Sequence, residues 1–282
     1  MSSVARAFAH SQVVYPEFKN ILFATDFSQC SAAALNCLHT IAQSHGSTVR
    51  VVHVVPPDQD EAAPLPGHSK RQTIKAKMAD FLEDNPLTNV PYEVWVARGP
   101  IAETLLGLVQ CEHIELVGLG MRGHGHRAPR LGSVAGQVLL ESPCPVLTVG
   151  EPMRARGAER LGRILYVTDF SPASLRALPY ALSLAKEKDS HLMLLYVDTR
   201  EVTCDWLVEA AYEQKLLDLL PRDATQLCSV EPIVEIGAVA NGIVEAAALN
   251  DADVIVMGAP RALPLFSTEI YARAHCPVLS VA

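Results

Sequence analysis

Ile21-Leu22-Phe23-Ala24-Thr25-Asp26-Phe27-Ser28 returns 143 positions later as Ile164-Leu165-Tyr166-Val167-Thr168-Asp169-Phe170-Ser171. In each copy an apolar run, long enough for a buried strand, ends in Thr-Asp, and a serine then opens a helical pattern. Working outward, other pairs keep the same order. Val52-His53-Val54 is echoed by Leu195-Tyr196-Val197 at the same offset. Glu115-Leu116-Val117-Gly118-Leu119-Gly120 matches Asp253-Val254-Ile255-Val256-Met257-Gly258 at an offset of 138, and Cys144-Pro145-Val146-Leu147 matches Cys276-Pro277-Val278-Leu279 at 132. The order is kept while the offset shrinks, so the chain is a duplication whose second copy has lost residues in two places. Two domains are expected, over 17–150 and 162–282, joined by a polar linker.

Each copy alternates strand and helix. In the first, strands are expected at 21–25, 49–55, 92–97, 114–119 and 146–149. Between them come a helix capped by Ser28 and ending near Gly46, an exposed helix at 70–83, one at 100–111 with Pro100 at its start, and one at 131–141. Five strands with intervening helices imply a parallel sheet covered on both faces. In the second copy, Leu175, Leu178, Ala181, Leu182 and Ala185 form the buried face of the first helix, inside which Pro179 predicts a local distortion.

Between the fourth strand and the last helix of copy one lies Gly120-Met121-Arg122-Gly123-His124-Gly125-His126-Arg127-Ala128-Pro129-Arg130-Leu131-Gly132-Ser133. Gly120 and Gly123 allow close backbone approach, and Gly132 and Ser133 open a helix whose unpaired N–H groups suit an anion. No Asp or Glu occurs from Leu116 to Leu140, whereas Arg122, Arg127, Arg130, His124 and His126 do. This composition fits a phosphate cradle but not a Walker A loop, because no Gly-Lys-Ser/Thr follows. A plain surface loop with a glycine-capped helix has the same local signature. In open parallel sheets ligands bind past the carboxyl ends of the strands, where the winding reverses. With the first and fourth strands as neighbours, Asp26 and the glycine loop border one crevice, the carboxylate facing a base or ribose and the loop facing phosphates. Alone, Asp26 reads equally well as a turn residue.

Composition narrows the class. Hydrophobic residues make up 49% and charged residues 19% of 282, enough to bury two cores. A net charge of −8 argues against nucleic acid or a membrane surface as the main partner. No run has the length of a membrane span or the form of a signal peptide. The seven cysteines form no Cys-x-x-Cys pair and read as reduced thiols of a cytoplasmic protein, with Cys144 and Cys276 as small buried residues. The pair His124 and His126 lacks partners for a metal site, and the acidic, proline-rich stretch from Asp58 to Pro66 reads as a solvated connection. Trp95 and Trp206 are expected to pack in a core or interface.

The Ile-Leu-x-x-Thr-Asp-Phe-Ser start, the His-Val of the second strand, the Gly-x-x-Gly loop with a later Gly-Ser, and the final Cys-Pro-Val-Leu together resemble the universal stress protein family, as two tandem copies. The resemblance implies two Rossmann-like domains of the adenine nucleotide alpha hydrolase type, each a five-stranded parallel sheet of order 3-2-1-4-5 with helices on both faces. One branch of the family binds ATP through Gly-x-x-Gly, nine residues, then Gly-Ser or Gly-Thr. For copy one it implies that Ala24 and Asp26 lie near adenine and ribose and that Val54 offers backbone contacts to adenine. Gly120, Gly123, Gly132 and Ser133 would hold ribose and phosphates, assisted by Arg122 and the amides of Val134 and Ala135. This chain departs in having eight residues, His124 to Leu131, between Gly123 and Gly132. The resemblance also implies pairing of the two last strands, 146–149 and 278–281, about an internal pseudo-two-fold axis, a homodimer of chains, and a protein partner that the sequence does not name.

Copy two keeps Asp169 and Val197 but follows Gly258 with Ala259-Pro260-Arg261 and no Gly-Ser. It is expected not to bind ATP. No nucleophile sits with a His and an acid at an identifiable elbow, so no catalytic residues and no resident metal beyond the Mg²⁺ of ATP are expected. The reading is a nucleotide-dependent regulatory protein of the stress response. The alternatives are an interaction protein with a vestigial loop and a weak ATPase.

Overall fold

The computed structural model describes residues 15–57, 70–121, 131–150, 161–186, 189–200, 206–222, 224–259 and 265–282, with side chains undescribed at 70–72 and 265–267. Two compact units divide the chain: 18–158, here unit N, and 159–282 together with 15–17, here unit C.

Unit N runs β1 (Asn20–Ala24), α1 (Gln29–His45), β2 (Thr48–Val55), α2 (Lys70–Asp84), β3 (Tyr92–Arg98), α3 (Ile101–Cys111), β4 (Leu116–Gly120), α4 (Ser133–Glu141) and β5 (Val146–Val149). All pairings are parallel, and the order is β3-β2-β1-β4-β5. Unit C runs β6 (Arg163–Val167), α5 (Pro172–Leu184), β7 (His191–Asp198), α6 (Trp206–Leu217), α7 (Ala224–Leu227), β8 (Ser229–Ile236), α8 (Val239–Leu249), β9 (Val254–Gly258), α9 (Leu265–Arg273) and β10 (Val278–Val281). Its parallel order, β8-β7-β6-β9-β10, is the same winding. Each unit is the Rossmann-like sheet of order 3-2-1-4-5 that the family resemblance implied.

Helices cover both faces. Phe23 is in register with Gly118. Phe23 stacks on Phe81 of α2, and a Cβ at Gly118 would lie 2.0 Å from Leu38 of α1, so α1 and α2 share a face. In unit C, Tyr196 stacks on Tyr212 of α6 while its neighbour Val197 meets Gly242 of α8, on the opposite face. With both faces covered, the central strands are apolar throughout: Ile21, Leu22, Phe23, Leu116 and Val117 are fully buried.

Several element ends shift by one or two residues from the sequence reading, and three of the shifts are instructive. The fourth strand begins at Leu116, not Ile114, because the Glu115 carboxylate turns back to accept from the N–H groups of Lys19 (2.5 Å) and Asn20 (3.0 Å) at the start of β1. Asp253 does the same for Gly162 (2.9 Å) and Arg163 (2.8 Å) at the start of β6. The last helix of unit N begins at Ser133, with Gly132 as its N-cap in extended conformation. Pro100 is likewise an N-cap and not a helical residue. Pro179 lies inside α5, which is helical without a break through it. Trp206 is 72% exposed, outside the core, and Trp95 is half-buried beneath the Arg50 guanidinium. Cys144 and Cys276 are buried, and burial raises the Cys144 thiol pKa, as small core residues require.

The repeated Thr-Asp-Phe-Ser is a strand-to-helix elbow that satisfies its own backbone. Thr25 Oγ1 accepts from Phe27 N–H (3.0 Å), Asp26 Oδ1 from Ser28 N–H (3.0 Å), and Ser28 Oγ caps α1 through Ser31 N–H (3.2 Å). Thr168, Asp169 and Ser171 repeat these bonds at 2.9, 2.9 and 3.2 Å. The turn is tight enough to put the phenylalanine in the left-handed region, φ 66° at Phe27 and 62° at Phe170. Burial alone would raise the Asp169 pKa. The bonds from Ser171 and Ser174 outweigh it and hold the carboxyl below its ordinary range.

Two outcomes follow for stability. Asp253→Ala leaves two backbone donors without their carboxylate and is expected to cost about 1–3 kcal/mol in chemical denaturation. For Asp169 the folded pKa is the lower one, so its contribution is complete at neutral pH and fades as pH falls below about 4. The stability gap between the native chain and Asp169→Asn should therefore be widest near neutrality and narrow in acid, with the gap small throughout because the carboxylate is exposed.

Candidate functional site

The residues singled out by sequence that are described in the structure lie at one end of unit N. Ala24 ends β1 and is in register with Val52 of β2 and Leu119 of β4, so Ala24, Val54 and Gly120 sit at the carboxyl ends of three adjacent strands. Chain winding reverses between β1 and β4: β2 and β3 lie to one side, β5 to the other. Asp26 stands on the elbow just past the end of β1, half-buried, its Oδ1 also accepting from Ser31 Oγ at 2.5 Å.

From β4 the chain passes to Met121, whose N–H donates to Val149 (2.8 Å) and whose carbonyl accepts from Gly132 N–H (3.0 Å). The two ends of the glycine loop are thus tied together, and α4 starts beside the end of β4. Arg122 and Gly123 lie outside the described residues, as do His124, His126, Arg127, Arg130 and the 58–66 connection. Ser133, Val134 and Ala135 form the first turn of α4, exposed, half-buried and buried in that order.

What α4 lacks is as telling as what it has. The N-terminus of α1 is closed by its own Ser28. The first turn of α3 carries Glu103. At α4 the N-cap is a glycine without a side-chain hydrogen bond, and no acid occurs in the first turn. Its leading N–H groups have no intrahelical acceptor and carry the positive end of the helix dipole. An anion with several oxygens fits that end chemically.

Gly120 has a reason of its own to be glycine. A Cβ there would lie 2.9 Å from both Cys30 Cβ and Ser31 N, so α1 packs against the end of β4 where a side chain would stand. Gly258 repeats this in unit C, 2.6 Å from Ala173 O. Its recurrence reflects helix–strand packing in both units and does not by itself distinguish a binding unit from a non-binding one.

Unit C differs at this end of the sheet. Only seven positions separate Gly258 from the start of α9, against thirteen from Gly120 to α4, and residues 260–264 lie outside the described residues. At the end of β7, buried Asp198 accepts from Arg200 Nε (2.9 Å) and Nη2 (2.5 Å), and the guanidinium holds its carboxyl below the ordinary range. Tyr196 and Tyr212 stack at 4.4 Å, and Lys215 Nζ sits 3.6 Å from the Phe170 ring centroid. These side chains engage one another where unit N, among the described residues, places His53 and Phe81 beside Phe27.

Sequence reading passed over Thr25, Ser31 and Met121 as site-building residues. The Thr-Asp-Phe-Ser repeat extends to Ser31 and Ser174 at the same offset, which was the available signal. Among the described residues no group of three or more His, Cys, Asp or Glu could hold a metal, and no helix is long and apolar enough to cross a membrane.

Comparison with known proteins agrees with this architecture. The Universal stress protein family matches residues 17–150 and again 161–282. A universal stress protein of Thermus aquaticus, encoded in the QAH/OAS sulfhydrylase 3' region, is 33% identical over 135 residues, covering 47% of this chain and 98% of its own length. Two solved structures share the fold over most of the chain. A universal stress protein from Archaeoglobus fulgidus has TM-score 0.72 and 20% identity, covering 94% of this chain and 96% of its own. A putative universal stress protein from Pseudomonas aeruginosa has TM-score 0.61 and 17% identity, covering 94% and 93%. With the family matched twice along the chain and each match housed in one sheet of the same winding, the protein belongs to the universal stress protein family, as a tandem of two such domains.

Proposed function

We propose that unit N binds ATP at the crevice between β1 and β4, and that the protein acts in the stress response as a nucleotide-dependent binding protein, not as an enzyme. One observation carries this reading: the uncapped, acid-free N-terminus of α4 lies beside the end of β4, at the point where the winding reverses. Gly132, Ser133 and the amides of Val134 and Ala135 would hold phosphates. Asp26 and Ala24, on the β1 side, would face ribose and base. Arg122 and Gly123 belong to the same proposal on sequence alone. Mg²⁺ would arrive with the nucleotide. In unit C the shortened connection and the Asp198–Arg200 pair favour a partner domain without nucleotide. Ordering of the glycine loop by ATP would alter the surface offered to a protein partner. The family resemblance extends the proposal to a cytoplasmic homodimer.

Calorimetric titration of the full chain with ATP should give one site per chain; two sites would refute the assignment of unit C. Gly132→Asp supplies α4 with its own carboxylate cap, compatible with the extended backbone there. It should weaken ATP tenfold or more while leaving the thermal midpoint unchanged or slightly raised. Undiminished ATP affinity in that variant would remove the helix terminus from the site.

A further inference from the structure

In each unit the third strand, β3 or β8, forms one edge of the sheet, and the two strands end alike. Gly99 N–H donates to Val55 at 3.1 Å and Gly237 N–H to Asp198 at 2.9 Å, and both glycines lie at positive φ, 143° and 137°. Counting back from these glycines aligns β3 with β8 residue by residue, 138 positions apart. The ladder fixes which backbone groups face outward. Val49 N–H donates to Pro91 and Gly99 N–H to Val55, so the odd-numbered residues of β3 bond to β2. Tyr92, Val94, Val96 and Arg98 therefore turn their N–H and C=O away from β2. In β8, Ser229 N–H donates to Ser190 and Gly237 N–H to Asp198, so Val230, Pro232, Val234 and Ile236 are the outward residues.

The two edges differ in their openness at one equivalent position. Unit C has Pro232, which offers no N–H to the outside and costs no bond to β7. Unit N has Val94 there. β3 contains no proline and no lysine, its register with β2 runs unbroken, and Tyr92 and Val94 are 48% and 38% exposed. An unbroken, partly apolar edge of seven residues is a template for another strand, whereas an edge carrying proline is blunted.

We propose that β3 is the surface through which two copies of the chain associate, each laying its β3 antiparallel to the other about a two-fold axis at Trp95. The strand itself selects this occupant. Antiparallel pairing exchanges bonds between outward residues, and one symmetric register engages all seven positions. It sets Tyr92 opposite Arg98, Val94 opposite Val96, Glu93 opposite Ala97, and Trp95 opposite its own copy. The charged residues Glu93 and Arg98 do not meet their own sign, and Arg98 falls opposite an aromatic ring. With β8 blunted, the pairing closes at two chains and does not propagate. The interface rests on the homodimer in the reading above and is independent of nucleotide.

Sedimentation velocity of the full chain should give twice the chain mass. Val94→Pro installs the unit C residue at an outward position and removes no bond to β2. It should sediment as a monomer at the same concentration, with the circular dichroism and ATP stoichiometry of the native chain. Trp95→Cys should form an interchain disulfide on mild oxidation, because the axis brings the two substituted Cα atoms to about 4.5 Å. Glu93→Cys, placed opposite Ala97, should crosslink no more than the native chain. Should Val94→Pro fail to fold, the contrast between positions 93 and 95 decides. A monomeric native chain would overturn both the homodimer and this interface. A folded Val94→Pro variant that stays dimeric, or equal crosslinking at 93 and 95, would overturn the interface alone. A native chain that dimerises in this way but binds no ATP would remove the nucleotide reading and support the interface.

Discussion

Between β1 and α1, and again between β6 and α5, three side-chain oxygens each take one backbone N–H and turn the chain from strand to helix within four residues. The rest of each unit depends on that elbow. It sets α1 close enough to the end of β4 that only glycine fits at Gly120, and α5 close enough to β9 that only glycine fits at Gly258. It forces a phenylalanine to positive φ, a strain that holds only because the surrounding bonds and ring contacts over-determine the turn. It also ends the first strand at the place where the winding reverses between β1 and β4.

The elbow's hydrogen bonds are complete within the chain itself. This explains why Thr-Asp-Phe-Ser is the best-kept part of the duplication while the glycine stretch is the worst kept. A structural turn must be retained in both units, whereas a binding loop is needed only where something is bound. The two copies therefore diverge at strand ends. Unit N keeps an uncapped α4. At the matching strand ends unit C has an Asp198–Arg200 pair and a stack of Tyr196 on Tyr212.

Fold was legible in the sequence to a large degree, because duplication and buried parallel strands leave long-range patterns in residue order. The boundaries that were misplaced are those set by single side chains acting at a distance. Ile114 and Glu115 look like strand, yet the Glu115 carboxylate belongs to the first residues of β1, a partner 95 positions away. The meaning of Asp26 and Gly120 was ambiguous for a related reason. Each meets a structural demand of the elbow, so its residue type cannot reveal whether a ligand also uses it. Val54 entered only through the family resemblance, since a backbone contact leaves no mark on residue type.

The central claim is the proposal that, of two sheets with the same winding, the strand ends of unit N bind nucleotide and those of unit C do not. Backbone hydrogen exchange of the full chain, with and without saturating ATP, tests this most directly. The account predicts slowed exchange at Val54 and at the first turn of α4, with no change at Val197 or the start of α9. Equal protection in both units, or none at Val54 and Ser133 to Ala135, would contradict it.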